Sequence, residues 1–127
     1  MSEGNVRRLY HAGRQVQAKT ASYTVTDQDM DTIMTTRGAG GEIVFTLPAA
    51  AQSRQGAMVW FFNVADQNMK ISGVDGELVV KNDLTANDVS FETSSEKIGG
   101  GFLAVCDGTS WIVVPLAEET QTMTVVT

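Results

Sequence analysis

Gly56-Ala57-Met58-Val59-Trp60-Phe61-Phe62-Asn63-Val64 is the stretch on which the fold turns. From Ala57 to Val64 it is aromatic and β-branched, and it is apolar at both odd and even positions. A strand with one solvated face would alternate, so this one reads as a central strand of the core. Downstream, Asp66-Gln67-Asn68 turns into a strand at Met69-Lys70-Ile71. Asp75-Gly76 is a hairpin signal leading into Leu78-Val79-Val80. Val89–Thr93 alternates, Gly99-Gly100-Gly101 breaks the chain, and Phe102–Cys106 is a further strand. Asp107-Gly108-Thr109-Ser110 turns into Trp111–Val114, which Pro115 should end. Upstream, Glu42–Leu47 is a strand stopped by Pro48, and residues 49–55 connect it onward. Gly38–Gly41 is a turn, Thr32–Thr36 a strand, Asp27-Gln28-Asp29 a turn, and Ser22–Thr26 the first strand.

This makes about nine short strands at roughly 8–12-residue spacing, the pattern of a sandwich or small barrel. No segment carries the helical pattern that βαβ units require. The fold expected is therefore all-β: an antiparallel β-sandwich or small jelly-roll-like barrel with an extended N-terminal arm. The chain has 127 residues, 12 of them Gly and 2 Pro, with 43% apolar and 19% charged residues. That suits one β-rich domain. The expected organisation is an arm over 1–20, a β-domain over 21–117 and a tail over 118–127. The tail includes Met123-Thr124-Val125-Val126, apolar and β-prone, and should be covered in an assembly rather than left exposed.

Charge separates the arm from the body. In residues 1–20, Arg7, Arg8, Arg14 and Lys19 stand against Glu3 alone, while the remainder is acidic enough to bring the net charge to −6. An acidic body argues against nucleic acid as a direct partner, because duplex binding needs a basic footprint. No apolar run reaches the length of a membrane span. The basic start has no apolar segment behind it, so it does not read as a secretory signal.

Chemistry has little to work with. His11 is the one histidine and lies in the arm. No nucleophile–histidine set can be built on the core, and one His with one Cys cannot make a zinc site. Cys106 sits in an apolar strand and reads as a buried small hydrophobe. Asp27-Gln28-Asp29-Met30-Asp31 resembles a calcium loop only superficially, since Thr32 and Gly38 occupy the positions where the pattern wants Gly and Glu. Gly38–Gly41 precedes a strand and lacks the trailing Lys-Ser/Thr of a phosphate loop. Trp60, Phe61, Phe62, Phe102 and Trp111 read as core packing, with Trp111, after a turn, the one that could sit at a rim. The expectation is a protein without catalysis, cofactor or metal, whose contacts lie in its ends. Arg7, Arg8, Leu9, Tyr10 and Arg14 are the candidate partner-binding residues, because Arg and Tyr together make good interface anchors.

A set of blocks carries a resemblance. They are Thr20–Thr26, Thr35–Gly41, Ile43–Pro48, Gly56–Val64, Lys97–Gly101 and Cys106–Trp111. Over about residues 20–115 the chain resembles small β-modules of tailed-bacteriophage virions, which occur as capsid decoration (cement) proteins and as domains of tail fibres and other tail proteins. The resemblance implies a structural virion protein, made in the host cytoplasm and located on the virion. A short single module with a basic arm fits a decoration protein on the outer capsid surface. Such a protein binds the major capsid protein across capsomer seams and stabilises the shell. The resemblance also implies a homotrimer whose arms staple neighbouring capsomers. The alternative is a tail, fibre or baseplate module that binds a host surface glycan or receptor through aromatic side chains. A glycan hydrolase would need a carboxylate pair, and no such pairing is recognisable.

Overall fold

The computed structural model describes residues 13–127. Twelve strands form two sheets packed face to face. The first has seven strands in the spatial order β1 (Val16–Ala18), β3 (Ile33–Thr35), β5 (Met58–Phe62), β10 (Gly101–Cys106), β11 (Trp111–Leu116), β7 (Leu78–Val80) and β8 (Asp83–Ala86). The second has five in the order β12 (Thr124–Val126), β9 (Asp88–Phe91), β6 (Met69–Ser72), β4 (Ile43–Thr46) and β2 (Tyr23–Thr24). Asp27–Asp29 and Gln52–Arg54 are single 3₁₀ turns. The chain is an all-β sandwich.

The sheets are mixed, which corrects the antiparallel expectation. From β1 to β7 each strand lies in the other sheet from the one before it. Same-sheet neighbours two steps apart therefore run the same way, and β1–β3, β3–β5, β2–β4 and β4–β6 are parallel. Asp75-Gly76 does form a turn: Glu77 N–H donates to Val74 O at 3.0 Å, and Gly76 takes a φ of 82°. It carries the chain from β6 across to β7 in the opposite sheet instead of closing a hairpin. The hairpins are β7–β8 and β10–β11.

Alternation fills the space between the sheets. Met34, Val59, Phe61, Phe102 and Trp111 point inward from the first sheet, and Ile43, Phe45, Ile71 and Phe91 from the second. Ring pairs lock the layers, with Phe45–Phe61 centroids 4.8 Å apart and Phe91–Phe102 centroids 4.7 Å apart. Cys106 is buried in this core.

Strands reach into both segments expected to flank the β-domain, and residues 1–12 of the expected arm lie outside the described residues. Val16–Ala18, read as arm, is the edge strand β1, held by Ile33 N–H to Gln15 O at 2.9 Å and Lys19 N–H to Thr35 O at 2.8 Å. The C-terminal segment is covered by its own chain. β12 pairs antiparallel with β9, Met123 and Val125 pack against the core, and the Thr127 hydroxyl donates to Asp83. Pro115 does not end its strand. Trp111 N–H donates toward β7, to Glu77 O, and strand alternation aims the nitrogens of Val113 and Pro115 the same way. The β11–β7 ladder stops at Ile112. The missing N–H of Pro115 thus falls on an unpaired edge, where proline is tolerated and discourages a further strand.

Candidate interaction surface

Cross-strand register fixes which side chains share the outer face of the seven-stranded sheet. Val16, Ile33, Trp60, Leu103 and Val114 stand opposite one another across β1, β3, β5, β10 and β11. Two residues along, Ala18, Thr35, Phe62, Gly101 and Leu116 make a second row. Met58, Val105, Ile112 and Val79 make a third on the other side, across β5, β10, β11 and β7. Nothing in these rows is ionisable, and Thr35 is the one polar side chain. The core residues of the same strands point the opposite way, and among the described residues no second strand layer lies on these rows. Val16 is 61% exposed, Val114 41% and Ile112 37%. Trp60, Phe62, Leu103 and Val105 are half-buried.

Two features organise the face. Trp60 is third of five in its row and the middle outward residue of β5. The Arg14 guanidinium lies over its ring, 4.4 Å from the centroid, while Arg14 Nε donates to Asp31 Oδ1 at 2.9 Å. The cation over the face is thereby paired with a carboxylate of this chain. The second feature is close approach: a Cβ on Gly101 would stand 2.5 Å from Phe62 Cδ1. Only glycine lets the Phe62 ring lie flat against the neighbouring strand.

Of the candidate partner-binding residues, Arg14 lays its guanidinium over Trp60 on this face, and Arg7, Arg8, Leu9 and Tyr10 lie outside the described residues, as does His11. The aromatic residues divide. Phe61 and Phe102 are core, while Trp60 and Phe62 face outward because adjacent positions on a strand point to opposite faces. Trp111 is fully buried and its Nε1–H donates to Pro48 O at 2.7 Å, so it offers no rim contact. The outer face was legible only in hindsight. Two-sided apolarity in residues 57–64 signals cover on both sides of a strand, and says nothing of who supplies the second cover.

The acidic segment near Asp27 is structural. Asp27 pairs with Arg54 at 2.7 Å and Asp31 with Arg14. Asp29 turns inward, where its Oδ2 accepts from the Tyr23 hydroxyl at 2.8 Å, Thr26 N–H at 2.8 Å and the Thr26 hydroxyl at 3.0 Å. Burial opposes its charge, but these bonds outweigh burial and hold the carboxyl below the usual range. The same bond pushes the Tyr23 hydroxyl up. A separate open cavity of about 480 Å³ lies between the 95–99 turn and the C-terminal segment, lined by Asp66, Glu96, Lys97, Glu118 and Gln121. Among the described residues no group of three His, Cys, Asp or Glu side chains is placed to hold a metal ion. Among them too, no helix is long and apolar enough to cross a membrane.

No protein-family model matches the chain, and no curated protein matches it.

Proposed function

We propose that the chain is a structural virion protein of a tailed bacteriophage, a decoration protein that binds the outer capsid surface across capsomer seams and stabilises the shell. One observation carries the reading: three rows of side chains across β1, β3, β5, β10, β11 and β7, apolar but for Thr35, line the outer face of the seven-stranded sheet. Water-facing sheets normally alternate apolar-in and polar-out. A face that abandons the alternation over several strands is a surface for protein contact. Full burial of each Val-, Ile- or Leu-sized side chain contributes roughly 1.5–3 kcal/mol, so a handful supports stable assembly. The likeness of residues 20–115 to virion β-modules supplies the setting, with the major capsid protein as partner. The basic segment before Gly13 supplies charge-assisted contacts to the shell.

The test uses the full-length chain and purified shells that lack it. The protein should co-sediment with the shells to saturation and raise their melting temperature. Charge reversal at both Arg7 and Arg8 should weaken binding at least tenfold with no change in the thermal unfolding of the free protein. Wild-type protein that stays in the supernatant counts against the reading.

A tail, fibre or baseplate module binding a host glycan is the second reading. Trp60 and Phe62, the outward aromatics, are the platform the fold leaves for it. It predicts saturable binding to host envelopes that Trp60→Ala weakens, and no binding to shells.

A further inference from the structure

We infer that the outer face of the seven-stranded sheet is covered by the same face of a second copy of the chain, giving a two-fold dimer. The inference rests on reading the chain as an assembling subunit and names what occupies its face. Charge is the first argument. The chain carries −6, so two copies repel wherever acidic surface approaches acidic surface. The three rows hold no ionisable residue, and the cation that lies over them, Arg14 above the Trp60 ring, is paired with Asp31. This is the side by which two such molecules meet without opposing charges.

Size is the second argument. Strands are about 4.8 Å apart and rise about 3.3 Å per residue, so the rows span about 24 Å across β1 to β7 and about 13 Å along β5. Side chains and bordering residues extend this to about 30 Å by 20 Å, a footprint of about 600 Å², of the order of the roughly 800 Å² that each partner buries in a standard interface.

Symmetry is the third. A flat sheet face meeting its own copy makes an isologous contact, which closes at two. Trp60, at the centre of the rows under Arg14, would lie near the axis, where aromatic and Arg anchors carry most of the binding energy. Packed sheets accept this geometry, with strands crossing at about 30° and about 10 Å between layers. Three such faces cannot all meet one another around a threefold axis, so the geometry argues for two copies where the resemblance implies three.

Sedimentation velocity of the full-length chain at micromolar concentration reads the mass directly. The wild type should sediment as a dimer, and more tightly at higher salt, because screening relieves the repulsion of two acidic bodies. Val114→Glu, at an exposed position in the central row, should weaken the dimer at least 100-fold with an unchanged melting curve. Should that variant melt early, Ile112→Asn in the neighbouring row provides the same readout. Val74→Glu, 49% exposed on the β6–β7 turn and away from the rows, should leave the dimer intact. A wild-type monomer, a trimer, or a dimer indifferent to both Val114→Glu and Ile112→Asn overturns the inference. Shell binding on the same samples separates the claims. A monomer that binds shells overturns the dimer alone, and a dimer that ignores them overturns the capsid reading alone.

Discussion

Asp88 and Asp29 show how two carboxylates of one sandwich are held in opposite ways. Asp88 lies in β9 between Ser72 and Val126, and its buried Oδ1 has no hydrogen-bond partner among the described residues. Burial pushes this carboxyl above its usual range, Lys70 opposes the shift, and Glu92, Glu42 and Asp75 reinforce it. A raised acid favours folding while protonated, so its contribution is present below the ordinary value of about 3.9 and is lost as pH rises through the shifted one. Asp88→Asn should therefore raise the melting temperature at pH 7, with the gain vanishing towards pH 4; equal melting at pH 7 would contradict this. Asp29 is the reverse case. Its stabilising effect is present above the ordinary carboxylate value and is lost as pH falls through the lowered one. Asp29→Asn should cost about 1–3 kcal/mol in urea unfolding at pH 7 and much less near pH 2. Neither role is legible in the residues: the run around Asp29 reads as a turn, and Asp88 stands alone between Asn87 and Val89, until the direction of each side chain is known. The three glycines at 99–101 are a similar case. They read as a break in the chain, yet a Cβ on Gly100 would stand 2.7 Å from the Phe91 ring. Gly100→Ala should cost about 1–3 kcal/mol by overpacking the core, measured by urea unfolding.

Among elements, the long apolar strands were readable and the short edge strands were not. β4, β5, β10 and β11 fall where alternation and turn residues put them. β8 was missed because Lys81-Asn82 is not a familiar hairpin dipeptide, although both residues take left-handed φ, 47° and 65°. β1 and β12 were assigned to the ends because three-residue strands carry no periodic signal, and their pairing is long-range. Parallel pairing was equally hidden, for it follows from the chain crossing between sheets at each step, and local turn chemistry does not report which sheet comes next. β12 has a measurable effect. Deleting residues 123–127 removes two half-buried apolar side chains and bares the edge of β9. The loss should be about 2 kcal/mol by urea unfolding, with increased aggregation on heating. An unchanged midpoint would mean that the segment is not part of the fold.

For the whole molecule, the sandwich explains why chemistry was hard to find and contact surface easy to overlook. Inner positions are consumed by the core, while polar clusters such as Thr36–Asn63, joined by a 2.6 Å hydrogen bond, fix the ends of strands. What remains is a face where Trp60, Leu103 and Val114 stand in line on the outside of an acidic domain. The sequence carries this as two-sided apolarity in β5, β10 and β11. Whether the second cover is another layer of the same chain or another molecule depends on where every other strand lies, which one strand cannot reveal. The central claim is that this face is covered in the working assembly, and the two tryptophans report on it directly. Trp111 is sealed in the core, while Trp60 is half-buried at the centre of the face. Acrylamide quenching of tryptophan fluorescence should find one quenchable and one protected population in dilute protein. At the concentrations of assembly both should be protected, with the quenchable population persisting in Val114→Glu. A Trp60 that remains as quenchable in the assembled protein as in the dilute one would contradict the account.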